Sequence, residues 1–120
     1  MLHIKLISKK LLIDNIPVIE IVPRKLQGQS IPLIIFYHGW TSNKMNGAGF
    51  GEIIAKFGFR VIVPDCAYHG ERNTTPLKMW DAHFLFLSIM ETAAEFEKII
   101  DYYKTKQLIA NNFYCVAGVS

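Results

Sequence analysis

Leu33-Ile34-Ile35-Phe36-Tyr37-His38-Gly39-Trp40 is the stretch on which the fold turns. Its first five residues are apolar without a polar alternate, the pattern of a strand covered by helices on both faces. Val61-Ile62-Val63 and Phe113-Tyr114-Cys115-Val116-Ala117 repeat that pattern. Between the first two runs, the spacing of Phe50, Ile53, Ile54 and Phe57 predicts a helix that buries this stripe and stops at Gly58. Between the second and third, Phe86, Met90, Ala93, Phe96, Ile100 and Tyr103 predict a helical stretch over 79–106. A break near His83 would divide it, with His83 a packed core histidine.

Upstream, residues 2–8 alternate Leu2, Ile4 and Leu6 with His3, Lys5 and Ser8, while 16–22 are apolar and β-branched. Asp14-Asn15 between them predicts an antiparallel hairpin, and Pro17 and Pro23 suit an edge strand that can spare a donor. The order β-β-β-α-β-α-β specifies an α/β protein: a mostly parallel sheet with an N-terminal antiparallel hairpin and helices on both faces. The last strand has no helix after it to cover one side, which would leave a large apolar patch bare. Residues 1–120 therefore read as the N-terminal part of a single domain, cut after its fifth strand.

Composition narrows the function classes. Half the residues are hydrophobic (51%), too many for a disordered chain. The net charge is +3, and although residues 1–60 carry eight cations against three anions, no like-charge run exceeds two residues. That is ordinary solvated surface rather than a nucleic-acid stripe. No apolar run approaches the roughly 20 residues that span a bilayer, and Met1-Leu2-His3-Ile4-Lys5 does not open like a signal peptide. Cys66 and Cys115 each end an apolar run, read as buried small residues, and fit a reducing, cytoplasmic setting. The expected ligand is a small molecule, with neither membrane nor nucleic acid as partner; a homo-oligomer is compatible with the sequence.

Chemistry concentrates in three loops, each at the end of a buried strand. Gly118-Val119-Ser120 is the first half of G-x-S-x-G, in which a strand turns sharply into a helix and presents a serine at the apex. Gly28-Gln29-Ser30 matches the same half motif but has Pro32 where the second glycine is needed. His38-Gly39-Trp40 ends the first buried strand, where the Trp40 N–H can serve an oxyanion. Pro64-Asp65-Cys66-Ala67-Tyr68-His69-Gly70-Glu71-Arg72 follows the second. There Asp65 and Arg72 are expected to tie down the loop while His69 and Tyr68 shape a pocket. Asp65, Cys66, His69 and Glu71 also have ligand chemistry, but a mixed set in one loop is a poor metal signature, and no metal is expected. Gly47-Ala48-Gly49-Phe50-Gly51 resembles a dinucleotide fingerprint, which would make the chain a nucleotide-binding module. Glu52 stands at its third glycine, and nine residues separate the glycines from the strand.

With FYHGW (36–40), VPDCAYHGER (63–72) and VAGVS (116–120) in this order, the chain resembles the α/β-hydrolase superfamily. Within it the chain looks most like esterases of the dienelactone hydrolase and prolyl oligopeptidase-like branch. The resemblance implies a serine hydrolase of carboxylic esters without a cofactor. It makes Ser120 the nucleophile and the Trp40 N–H half of the oxyanion hole, with His38, Gly39, His69 and Trp80 about the substrate pocket. In that family the acid and histidine follow the serine, and His3, His38 and His83 are poor substitutes. These 120 residues alone are thus expected to be inactive. A peptidase of the same fold and a non-catalytic half-domain completed by another chain are the alternatives.

Overall fold

The computed structural model describes residues 3–73 and 81–119. Strands β1 (Leu6–Ile13) and β2 (Ile16–Pro23) form the antiparallel hairpin, turned by Asp14 and Asn15 at φ of 48° and 68°. A two-residue turn with both residues left-handed matches the twist of its strands, and Asp and Asn tolerate that conformation best after glycine. Strand β3 (Ile31–Tyr37) pairs in parallel with both β4 (Arg60–Pro64) and β5 (Ile109–Gly118), and β2 joins β4 antiparallel. The resulting order is β1-β2-β4-β3-β5. The sheet is thus mixed, and parallel only across β4-β3-β5. β2 lies inside it rather than at its edge. Its paired ladder to β4 covers only Val18–Ile21; just beyond it the Asp65 N–H donates to Pro17 O, and the Asp65 carbonyl takes Arg72 in place of the donor that Pro17 lacks.

Helix α1 (Lys44–Ala55) connects β3 to β4 on one face, and α2 (Ala82–Thr105) connects β4 to β5 on the other. The alternation along each strand feeds both layers. Ile19, Ile21, Phe36, Val61 and Val63 pack with Ala55 of α1. Ile16, Val18, Leu33, Ile35 and Ile62 pack with Ile99, Ile100 and Tyr103 of α2.

The stripe expected on α1 does not face the sheet. Gly47, Gly51 and Ala55 do, while Phe50, Ile53 and Phe57 stay 51%, 61% and 79% exposed. Only Ile54 of the expected stripe is half-buried against the sheet, and Phe50 stacks on Phe36 with ring centroids 5.4 Å apart. The reason is steric: a Cβ at Gly47 would stand 2.8 Å from Val63 Cγ1, and one at Gly51 2.9 Å from Ile21 Cδ1. The helix lies too close for large side chains beneath it. These glycines are interior to α1, so the dinucleotide reading falls as well, because it needs a glycine turn ahead of the helix.

Helix α2 is continuous, with Asp81 as its N-cap, and it does not break near His83, which is exposed in its first turn. Its expected stripe is half correct: Ile100 and Tyr103 are buried and Phe96 partly so, but Phe86 and Met90 are exposed. The first half of α2 borders a cleft instead of strands. Cys115 is exposed and Cys66 half-buried, and both are free thiols; Cys115 sits on β5, which pairs on one side only among the described residues. Phe113 and Val116 of β5 are likewise more than half exposed. Among the described residues no helix is long and apolar enough to cross a membrane.

Candidate functional site

The loops after β3 and β4 meet at the C-terminal end of the sheet, and three hydrogen bonds clasp them together. The Cys66 N–H donates to His38 Nε2 at 3.0 Å, and the Thr41 N–H donates to His69 Nε2 at 2.9 Å. The Lys44 N–H, opening α1, donates to Asp65 Oδ1 at 2.9 Å. Each imidazole is also bound at its other nitrogen. An Nε2 that accepts must leave the proton on Nδ1, so His38 Nδ1–H donates to Gly39 O (2.8 Å) and His69 Nδ1–H to Ala67 O (2.9 Å). Both rings are neutral and fully engaged. Burial pulls the His38 pKa below its ordinary value, with its bond to Gly39 opposing the shift.

Asp65 is buried and anchors the clasp. Its Oδ2 accepts from Lys44 Nζ (2.8 Å) and from the Glu71 N–H (3.1 Å), and Glu71 also pairs with Lys44. Burial works against the Lys44 charge, but its bonds to Asp65 and Glu71 outweigh that and hold its pKa above the ordinary value. Gly70, at φ +54°, gives the carboxylate its space: a Cβ there would lie 2.1 Å from Asp65 Oδ1. Arg72 donates to Asp65 O and grips Glu95 of α2 through two bonds of 2.7 Å. Asp65 and Arg72 thus tie down the loop as expected, but Lys44 as the buried partner was missed. One signal for it exists in the sequence, because a cation in the first turn of a helix opposes the macrodipole and needs an anion beside it.

A cleft of about 620 Å³ opens between this clasp, the first half of α2 and the end of β5. His38, Gly39, Trp40 and His69 border it, together with Cys66 and Val119. No Asp, Glu, Lys or Arg lines it among the described residues. Trp40 packs edge-on against His69 at 4.8 Å. Tyr68, expected in the pocket, instead hydrogen-bonds Glu91 with its hydroxyl. Ser120 and Trp80 lie outside the described residues, but Val119, the neighbour of Ser120 in sequence, donates its N–H to Tyr37 O at 3.2 Å. Gly118 fits the same close approach, since a Cβ would meet Tyr37 O at 3.1 Å.

These contacts restrict the available chemistry. Burial pushes the Cys66 thiol up to about 11, so it stays protonated and is a poor nucleophile at neutral pH. The four residues weighed as metal ligands are engaged otherwise: Asp65 and Glu71 on Lys44, His69 on two backbone groups, and Cys66 as a half-buried thiol that keeps its proton. The backbone around Gly39 has donors to spare among the described residues, the Trp40 N–H among them. Ser42 N–H closes a turn onto Gly39 O at 3.0 Å and Thr41 N–H is held by His69, whereas the Trp40 N–H meets no acceptor among the described residues.

No protein-family model matches the chain. It is 36% identical over 61 residues to YitV of Bacillus subtilis, which is named as an esterase; the match covers 51% of this chain and 24% of that protein. It is 40% identical over 58 residues to the esterase YjfP of Escherichia coli, across 48% of this chain and 23% of that protein. A solved structure from Klebsiella pneumoniae, a dienelactone hydrolase by name, superposes with a TM-score of 0.70 at 15% identity. That likeness covers 95% of this chain and 50% of the other. The chain has the α/β-hydrolase fold, and the resemblance to dienelactone hydrolase-like esterases holds. It spans about half of the solved structure, and its matched stretches about a quarter of each curated relative.

Proposed function

We propose that the protein is a serine hydrolase of carboxylic esters. Residues 1–120 supply the N-terminal part of its single catalytic domain, with Ser120 the nucleophile and the Trp40 N–H half of the oxyanion hole. The observation that carries this reading is the Trp40 N–H, which meets no acceptor among the described residues and belongs to a residue bordering the same cleft as Val119, the residue before the serine. Attack of the serine oxygen on an ester carbonyl develops a negative charge on the carbonyl oxygen. A preorganised backbone donor stabilises that charge by about 3–4 kcal/mol. The general base is neither His38 nor His69, whose ring nitrogens are all taken.

The cleft's lining favours an uncharged, apolar acyl group on a small-molecule ester. Acyl transfer by a serine requires no cofactor, and a cytoplasmic setting suits two free thiols. A fluorophosphonate probe tests the assignment. The protein is expected to be labelled, and Ser120→Ala to lose both the label and hydrolysis of p-nitrophenyl acetate. Labelling that persists in Ser120→Ala would overturn it.

A further inference from the structure

We infer that His38 and His69 are positioning residues that set the direction of the Trp40 N–H, rather than groups that act on substrate. The inference rests on the oxyanion reading above. The Gly39 carbonyl and the Trp40 N–H belong to one peptide group, which is planar and trans, so whatever fixes the oxygen fixes the N–H on the opposite side. Two donors hold that oxygen, His38 Nδ1–H at 2.8 Å and Ser42 N–H at 3.0 Å. His38 can donate there only because the Cys66 N–H occupies its Nε2 and keeps the proton on Nδ1.

His69 does the same for the next peptide. It accepts the Thr41 N–H while Thr41 sits at φ +68°, a conformation a β-branched residue adopts only under constraint. His69 is itself fixed by Ala67 O, and Ala67 N–H is held by Thr92 of α2. The donor's aim is thereby tied through two imidazoles to the loop after β4 and to α2. On this account the chemistry the two rings share is an acceptor facing the other loop and a donor facing their own, not a transferable proton.

Paired substitutions test this in the intact protein. His38→Asn keeps a donor near the place of Nδ1, and His38→Leu removes it. His69→Gln keeps an acceptor near the place of Nε2, and His69→Leu removes it. Each Leu variant is expected to lose about 10²-fold in kcat with KM changed less than threefold, the cost of a misaimed oxyanion donor. Each polar variant is expected to recover to within about tenfold of the parent. A kcat for both Leu variants within twofold of the parent would overturn the inference, as would a Gln variant as inactive as the Leu one.

A long-range ¹H–¹⁵N NMR spectrum of the unsubstituted protein gives a readout that needs neither activity nor a stable variant. Both rings are expected to carry the proton on Nδ1, and an Nε2–H tautomer in either would overturn the clasp itself. Inactivity of the parent enzyme with both Nδ1–H tautomers present would instead sink the hydrolase reading and leave the clasp standing.

Discussion

Strand β4 carries a buried charge at each end, and the two ends are built by opposite rules. At its first residue, Arg60 is fully buried and donates to Gln29 O, Leu108 O, Leu26 O and Gln27 O, with Glu20 as its ionic partner at 3.3 Å. Just past its last residue, Asp65 gathers donors: the Lys44 N–H, the Glu71 N–H and the Lys44 ammonium. The cation collects carbonyls from two connections and pins them at the N-terminal side of β4. The anion collects N–H groups and pins two loops at the C-terminal side. At the Asp65 end the Trp40 N–H, without an acceptor among the described residues, belongs to a residue on the wall of a cleft. What sets the Asp65 end apart is thus the cleft that its two loops border.

The comparison can be broken most severely at Arg60. Removing the guanidinium by Arg60→Leu leaves Glu20, which is 5% exposed, with the surface Lys9 as its remaining cation among the described residues, and strips four carbonyls of a donor. Breaking a buried pair from one side costs about 3–5 kcal/mol. That loss should appear as a lower urea midpoint with an unchanged slope. A loss under about 1 kcal/mol would mean that the hub is ornamental. At the other end, Asp65→Asn keeps an acceptor for one N–H but sets an amide against the Lys44 ammonium. Glu71 remains as a counter-ion, so the expected loss is smaller, about 1–3 kcal/mol. The two variants should separate in function: ester hydrolysis per folded molecule survives Arg60→Leu and falls in Asp65→Asn. Equal activity in the two would erase the distinction between the ends.

The fold was legible in the sequence wherever burial was two-sided. The runs 33–37, 61–63 and 113–117 needed only their unbroken apolarity to be read as strands of this sheet. The helix faces were less legible because periodicity weighs large residues. On α1 the buried positions are Gly47, Gly51 and Ala55, and it is their smallness that lets the helix approach. The exposed Phe50, Ile53 and Phe57 carry the stronger hydrophobic signal. At the site, the types and order of residues located the loops after β3 and β4. They did not disclose that His38 and His69 each bridge to the other loop, since that bond pattern exists only once residues 28 apart are adjacent. Arg60 gave no signal at all, being one cation before a short apolar run.

Acid provides the mildest way to sharpen the comparison. His38 is neutral in the folded protein with a pKa held below 6.5 by burial, so below about 6.5 the unfolded chain takes up a proton that the folded one refuses. Stability therefore falls as pH drops from about 6.5 toward the lowered folded value, and it is unaffected by this group above that range. A proton forced onto Nε2 would set two N–H groups against each other at Cys66 and break the bond between the two loops there. Arg60 itself does not change charge in this interval, because a guanidinium holds its proton throughout. Amide hydrogen exchange measured at pH 7.5 and at pH 5.5 should thus show Cys66, whose N–H is bonded to His38, losing protection on acidification while Val61 and Ile62, next to Arg60, keep theirs. Equal loss at both ends would assign the effect to global destabilisation and not to the clasp.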